Sequence, residues 1–337
     1  MTKAEAVFDK ENLLEVIKNS PNQLLIGFKL ADDLKLDRKL NGMILSGMGG
    51  SALPGELIKL FLRQEKSSQS FEVKINRNYN LASQFPSTDK LYVFSSYSGN
   101  TEETLAALKD GLKLKVPILI MTSGGKLEKI ALKKNLPLIK IPGGIQPRMA
   151  LGYTLGALLG LLAHLKIINV KIENLRKTAE KISRDFVSFN KRGKAIATRI
   201  NAKTPLIYSS ESWKEIALIW KIMINENGKT PAFWNFFPEL NHNEMVGFTR
   251  PNAKFEIIML RDPKDHPGNL KRMNLTEKLL KKSKIKSISI DIPIGETILR
   301  IFSIIQLGCL ASYYLAINNK QDPTPVRMVE NFKKQMI

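Results

Sequence analysis

Through its first half the chain alternates short apolar runs with amphipathic stretches. Runs of strand character fall at 42–46, 71–76, 91–95, 117–122 and 137–141. Apolar residues at helical spacing cover 51–64, 101–114 and 126–135 between them. Such alternation predicts an α/β fold built on a doubly wound parallel sheet. A helix is expected over 148–165, with Gly152, Gly156 and Gly160 on one face. That narrow face implies a close helix–helix contact, of which a subunit contact is one form. A charged helical stretch over 171–194 connects to a second half that repeats the pattern. Strands are expected at 205–210, 255–260 and 288–292, and helices at 213–227, 269–284 and 296–317. Two domains follow, 1–165 and 166–337.

Ligands of such sheets lie outside the carboxyl ends of the strands, and there the first half is rich in hydroxyls and glycine. Ser46-Gly47-Met48-Gly49-Gly50-Ser51 follows the first run, and Ser95-Ser96-Tyr97-Ser98-Gly99-Asn100-Thr101 follows the third. A third such turn, Thr122-Ser123-Gly124-Gly125, follows the fourth. The first backbone N–H groups of a helix are unpaired and carry the positive end of its dipole, which suits a phosphate. One Ser/Thr-rich turn alone fits an ordinary helix cap as well. Two of them at strand ends favour an anion site, with Ser51, Ser96, Ser98, Thr101 and the glycines Gly49 and Gly50 as candidates.

Three other places carry candidate chemistry. Glu226, in Asn225-Glu226-Asn227-Gly228-Lys229, falls in the last turn of the 213–227 helix. The helix dipole disfavours negative charge there, which suits a carboxylate that must take up a proton beside a carbonyl; a solvated helix-end Glu is the other reading. His242 sits in a polar loop, Pro238 to Glu244, and could be a surface residue or a catalytic one. Arg148 starts its helix directly after the sheet, where a guanidinium could face an oxyanion or simply solvent. The other histidines, His164 and His266, lie far from His242 in sequence, and with a single cysteine, Cys309, they form no metal-ligand pattern.

Composition narrows the function classes. The chain has 337 residues and a formal net charge of +21, from 52 Lys+Arg against 31 Asp+Glu. Its lysines are scattered, with no aromatic-interleaved stripe, so no nucleic-acid partner is expected; the charge would steer an anionic metabolite toward the protein. The amino terminus lacks a signal-peptide pattern, and the apolar stretches 151–165 and 297–317 read as buried helices, one short and one interrupted by Arg300 and Gln306. A soluble cytoplasmic protein with no membrane partner is expected.

These residues together resemble the bifunctional phosphoglucose/phosphomannose isomerase family, built from two sugar-isomerase (SIS) domains. The matching motifs stand in the family's order: Gly47-Met48-Gly49-Gly50-Ser51, Ser96-Tyr97-Ser98-Gly99-Asn100-Thr101, Pro147-Arg148-x-Ala150-Leu151, Asn225-Glu226-Asn227 and Pro238-Glu239-x-x-His242-Asn243. Asp322-Pro323-Thr324-Pro325, followed by Phe332-Lys333-Lys334, resembles the family's closing helix. The resemblance implies two SIS-type domains, each a parallel-sheet αβα sandwich. It also implies reversible isomerisation of glucose 6-phosphate and mannose 6-phosphate with fructose 6-phosphate, without metal or other cofactor. By motif, Ser51, Ser96, Ser98 and Thr101 bind phosphate and Glu226 moves the proton between C1 and C2. Arg148 stabilises the enediolate, His242 assists ring opening, and Lys333 helps with ring opening or the hydroxyls. The family further implies a homodimer whose shared site takes its histidine from the neighbouring chain.

Two positions depart from the pattern. Ala52 replaces a common glycine. Val326 stands where some members carry a threonine implicated in accepting the mannose epimer, and Thr324 is the hydroxyl two residues earlier. Two competing functions share the hydroxyl turns: a non-catalytic sugar-phosphate-binding SIS protein, which needs no base, and an amino-sugar phosphate isomerase.

Overall fold

The apolar runs of the first half form five parallel strands: β1 (Gly42–Ser46), β2 (Glu72–Asn76), β3 (Lys90–Ser95), β4 (Ile118–Thr122) and β5 (Leu138–Lys140). Their order is β2-β1-β3-β4-β5. The structure, a computed structural model, describes residues 3–34, 36, 39–65, 71–81 and 87–336. Side chains alternate across the sheet, as strand geometry dictates. Ile44, Tyr92, Phe94, Ile118 and Ile120 face Ala107, Leu108, Leu127 and Ala131 of helices Glu102–Leu114 and Gly125–Lys133. Leu45 and Ile75 point the other way, where Gly55 lets helix Leu53–Glu65 approach closely. With β1 between β2 and β3, the strand order reverses at the β1–β3 pair, and a crevice opens there at the strands' carboxyl ends.

The second half builds four parallel strands, β6 (Thr204–Ser210), β7 (Phe233–Phe237), β8 (Phe255–Arg261) and β9 (Lys286–Asp291), in the order β7-β6-β8-β9. β7 is absent from the expected elements. It is a sheet edge with mostly half-exposed residues and no apolar alternation, so nothing local marks it. One face packs Leu206, Tyr208, Ile257 and Met259 against Met273 and Leu280 of helix Pro267–Lys282. Helices Lys214–Glu226, Phe186–Ile200 and Thr297–Asn318 pack together: Gly193 lies against Leu310, and Trp220 donates to the Ile304 carbonyl at 2.9 Å. Thr297–Asn318 is long and apolar enough to cross a membrane, but its apolar window is 94% buried inside the protein.

The chain divides into Asn19–Ser183, the first unit, and Met1–Lys18 with Arg184–Ile337, the second. This differs from a boundary after residue 165 in two ways. Helix Ile172–Arg184 stays almost wholly with the first unit, with Leu175, Ala179 and Ile182 buried. The amino-terminal residues belong to the second: the Asp9 carboxylate accepts from Leu13 N and from the Tyr313 hydroxyl, and Gln306 donates to the Ile17 carbonyl. The single helix expected over 171–194 is two, Ile172–Arg184 and Phe186–Ile200.

The glycine face of helix Leu151–His164 is filled from within its own unit. A Cβ at Gly152, Gly156 or Gly160 would lie 2.7, 2.3 or 2.3 Å from atoms of Gln23, Leu24 or Phe28, on helix Leu13–Lys29. The face therefore serves an internal contact, and it lends no support to a subunit interface. Gly156→Ala is expected to lose about 1–3 kcal/mol by overpacking against the Leu24 carbonyl. Gly247→Ala, with nothing within 4 Å of its Cβ, should stay within about 0.5 kcal/mol; urea unfolding of the two variants checks both.

Candidate active site

The two hydroxyl turns meet at the β1–β3 switch point of the first unit. After β1 the chain makes a short 3-10 turn, Gly49–Ser51, and Gly49 has a positive φ of 49°. Gly50 is required by proximity, because a Cβ there would lie 2.8 Å from the backbone nitrogen of Arg148. Segment 147–149 is thereby pressed against the turn, with Arg148 only 1% exposed and donating to Gln146 Oε1 at 3.3 Å. After β3, the buried Ser96 hydroxyl accepts from Gly99 N at 3.1 Å and shares a 2.7 Å hydrogen bond with Thr101 Oγ1. Ser98 is exposed, and its hydroxyl accepts from Asn100 N. Thr101 occupies the N-cap position of helix Glu102–Leu114, its side chain turned to Ser96 rather than to the helix N–H groups. Gly99, with a φ of 68°, lies directly against the Gly124 carbonyl.

Tyr97, to which sequence reasoning assigns no role, ties these parts together. Its N–H donates to Ser51 Oγ at 3.0 Å. Its carbonyl accepts from Ser123, through N–H at 3.0 Å and Oγ at 2.6 Å. The phenol donates to the Pro142 carbonyl at 3.0 Å and accepts from Ile145 N at 3.3 Å, two residues before the helix-opening Pro147-Arg148. Burial pushes this phenol above its ordinary pKa, so it stays a donor. The structure thus brings Gly49, Gly50, Ser51, Ser96, Ser98, Thr101 and Arg148 to one end of one sheet.

Glu226, His242 and Lys333 belong to the second unit. Glu226 ends helix Lys214–Glu226, half-buried. Its neighbour Asn227 is fully buried and donates to Ser312 Oγ at 3.0 Å, and the Asn225 side chain accepts from Ala232 N. Lys229 caps this end: its ammonium donates to the carbonyls of Glu226 and Pro325, each at 2.5 Å, and to that of Pro323 at 3.2 Å. The Asp322–Pro325 segment is thereby held to the Glu226 turn, with Asp322 Oδ1 accepting from Thr324 N. Helix Arg327–Gln335 follows, and none of its residues, Lys333 included, is buried. Val326 is its N-cap, half-buried, and brings no hydroxyl to that position. His242 is exposed at the end of a 3-10 turn, Glu239–His242, with Leu240 fully buried beneath it.

A first turn that presents N–H groups and hydroxyls at a switch point can hold an oxyanion. A carboxylate at an anchored helix end can move a proton. Comparison with known proteins gives the family. The profile for the "Bacterial phospho-glucose isomerase C-terminal SIS domain" matches residues 189–336. A bifunctional phosphoglucose/phosphomannose isomerase from Caldicellulosiruptor bescii is 35% identical, over 96% of this chain and 98% of that protein. The chain belongs to the bifunctional phosphoglucose/phosphomannose isomerase family. A D-glucosamine-6-phosphate 4-epimerase from Sulfolobus acidocaldarius is 38% identical over a shorter stretch, 59% of this chain and 61% of that one. The tagatose-6-phosphate ketose/aldose isomerase of Escherichia coli shares the fold, with a TM-score of 0.70 at 17% identity over 93% of this chain and 94% of that one. Both units thus carry the SIS fold within this isomerase family.

Removing the phenol oxygen tests Tyr97 as the tie. Tyr97→Phe leaves the Pro142 carbonyl and Ile145 N–H without their partner, at an expected cost of about 1–3 kcal/mol. Chemical unfolding of the full chain measures it, and no loss of stability would mean that the ring's packing alone holds segment 142–148.

Proposed function

We propose that this chain catalyses the reversible isomerisation of glucose 6-phosphate, and of mannose 6-phosphate, with fructose 6-phosphate through an enediolate. The observation that carries the reading is the family match over nearly the whole chain. In this reading Ser51, Ser98, Thr101 and the backbone of Gly49 and Gly50 hold the phosphate. Ser96, fully buried and bonded to Thr101, shapes the cradle and orients that hydroxyl. The phosphate does not react, and its binding energy holds C1 and C2 against the base. Glu226 takes the proton from one carbon and returns it to the other, Arg148 stabilises the enediolate oxygen, and His242 and Lys333 serve ring opening and the hydroxyls. A coupled assay following glucose 6-phosphate formed from fructose 6-phosphate tests the assignment. Binding without turnover would favour a sugar-phosphate-binding protein, and action on glucosamine 6-phosphate alone would favour the amino-sugar reading.

Glu226→Gln keeps the shape of the base and removes its proton acceptor. Its kcat is expected to fall by at least about a hundredfold, while a competitive sugar-acid phosphate still binds. Solvent-deuterium exchange at C2 continuing at the wild-type rate would assign the base to another group.

The family resemblance and the exposure of His242 support a homodimer in which this histidine serves the neighbour's Glu226. Two inactive variants, Glu226→Gln and His242→Ala, are mixed and allowed to exchange subunits. Each mixed dimer then holds one site with both groups and one with neither, and random exchange restores roughly a quarter of all sites. No recovery, with exchange verified by native mass spectrometry, would place both residues in one chain's site.

A further inference from the structure

We propose that Glu244 is a positioning residue for the isomerase reaction, fixing the loop that presents His242; the inference rests on the ring-opening role assigned to His242 above. His242 is exposed, and exposed loop residues are ordinarily mobile. The residues flanking it are not left to themselves. Before it, Leu240 is fully buried, and Asn241 donates to Thr276 Oγ1 at 3.0 Å and accepts from Arg272 at 3.4 Å, both on helix Pro267–Lys282. Across the turn, Asn243 Nδ2 donates to Glu239 Oε1 at 2.9 Å. After it, the Glu244 carboxylate reaches back to the sheet, where one oxygen accepts from the Tyr208 hydroxyl on β6 and the other from Asn235 Nδ2 on β7.

The chemistry of that last anchor is selective. Tyr208 is fully buried, and burial, reinforced by the Glu244 charge, pushes its phenol far above the ordinary value, so it remains a donor. Asn235 accepts nothing from Glu244, because an ionised carboxylate only accepts. Two donors from two adjacent strands therefore converge on one carboxylate, a charge-assisted arrangement stronger than neutral pairs. Glu244 opens the next 3-10 turn, Glu244–Thr249, which Phe248 closes onto the core. His242 is thus held between Asn241 and Glu244, two residues fixed to different elements. Rigid support of this kind is what a group needs if it is to meet the ring oxygen of a sugar at a set distance, since a displacement of about 1 Å costs about a hundredfold in rate.

The test separates ring opening from proton transfer. Fructose 6-phosphate must open before C1 loses a proton, whereas its O5-methyl ether cannot close a ring and enters the reaction already open. For Glu244→Ala, kcat on fructose 6-phosphate is expected to fall by about ten- to a hundredfold. Exchange of the C1 proton of the O5-methyl ether into solvent should keep to within about twofold of wild type, since loop misplacement affects only the ring-opening step. Tyr208→Phe, which removes one of the two donors and keeps the ring packed, should show the same split at smaller amplitude. The double variant Asn235→Asp with Glu244→Gln exchanges carboxylate and amide across the contact and should recover part of the loss. Equal loss on both substrates in Tyr208→Phe and Glu244→Ala would make the contact merely structural, and no loss in folded variants would make it idle; either overturns the proposal. Wild-type protein inactive on both sugars would instead overturn the isomerase reading, and this inference with it.

Discussion

The backbone of Tyr97 is the constraint on which the first unit's site depends. In a parallel sheet whose order reverses between neighbours, two loops leave the same edge in opposite directions, and a crevice opens between them. Such a crevice is useful only if its donors hold their directions when nothing is bound. The Tyr97 N–H fixes Ser51 and its carbonyl fixes Ser123, while its phenol fixes the approach to Arg148. One residue thereby sets three strand ends and a buried guanidinium in one register. Glycine is needed where these loops touch: Gly50 against Arg148, and Gly99 against Gly124. The protein's own hydrogen bonds thus hold these turns in place.

The second unit repeats the order of the first four strands with a different set of side chains at the equivalent place. At the β6–β8 switch point stands the Asp262 carboxylate, directly after β8. It accepts from Trp213 Nε1 at 2.9 Å and pairs with Arg300 at 2.6 Å, both ions nearly fully buried. Arg300 also lies over the Trp213 ring, 4.8 Å from its centroid. The protein's own carboxylate answers the arginine at that sheet edge. Glu226 stands at the far end of the helix after β6, and His242 in the loop after β7. The two sheets are similar scaffolds with different side chains at the same topological position.

Much of this was legible from residue order, for a physical reason. Parallel strands buried on both faces are continuous apolar runs, and β1, β3, β4, β6 and β8 were found within a residue or two. Turns that need glycine and hydroxyls announce themselves, as 47–51 and 96–101 did. Elements whose stability comes from distant partners did not. Helix Leu13–Lys29 carries Pro21 in the cluster Asn19-Ser20-Pro21-Asn22, which reads locally as a turn, and it exists because it packs on Gly152, Gly156 and Gly160. β7 exists because it pairs with β6. The roles of Tyr97, Lys229 and Glu244 are invisible for the same reason: their partners at Pro142, Pro323, Pro325 and Tyr208 are set by tertiary structure alone.

Lys229 also changes the electrostatic argument for Glu226. From sequence, the carboxyl end of the helix is a place where unpaired carbonyls make negative charge unfavourable. In the structure that end is not bare, because the Lys229 ammonium sits among those carbonyls and is shared with Pro323 and Pro325. A cation at the helix terminus offsets the dipole. What remains is positional. The same ammonium that neutralises the helix end ties it to the segment leading into helix Arg327–Gln335, and Asn227 bolts it to Ser312 on the long buried helix. The constraint on Glu226 is therefore one of place more than of charge. One ammonium thus joins the backbone of Glu226 to the Asp322–Pro325 segment, which leads into the closing helix that carries Lys333.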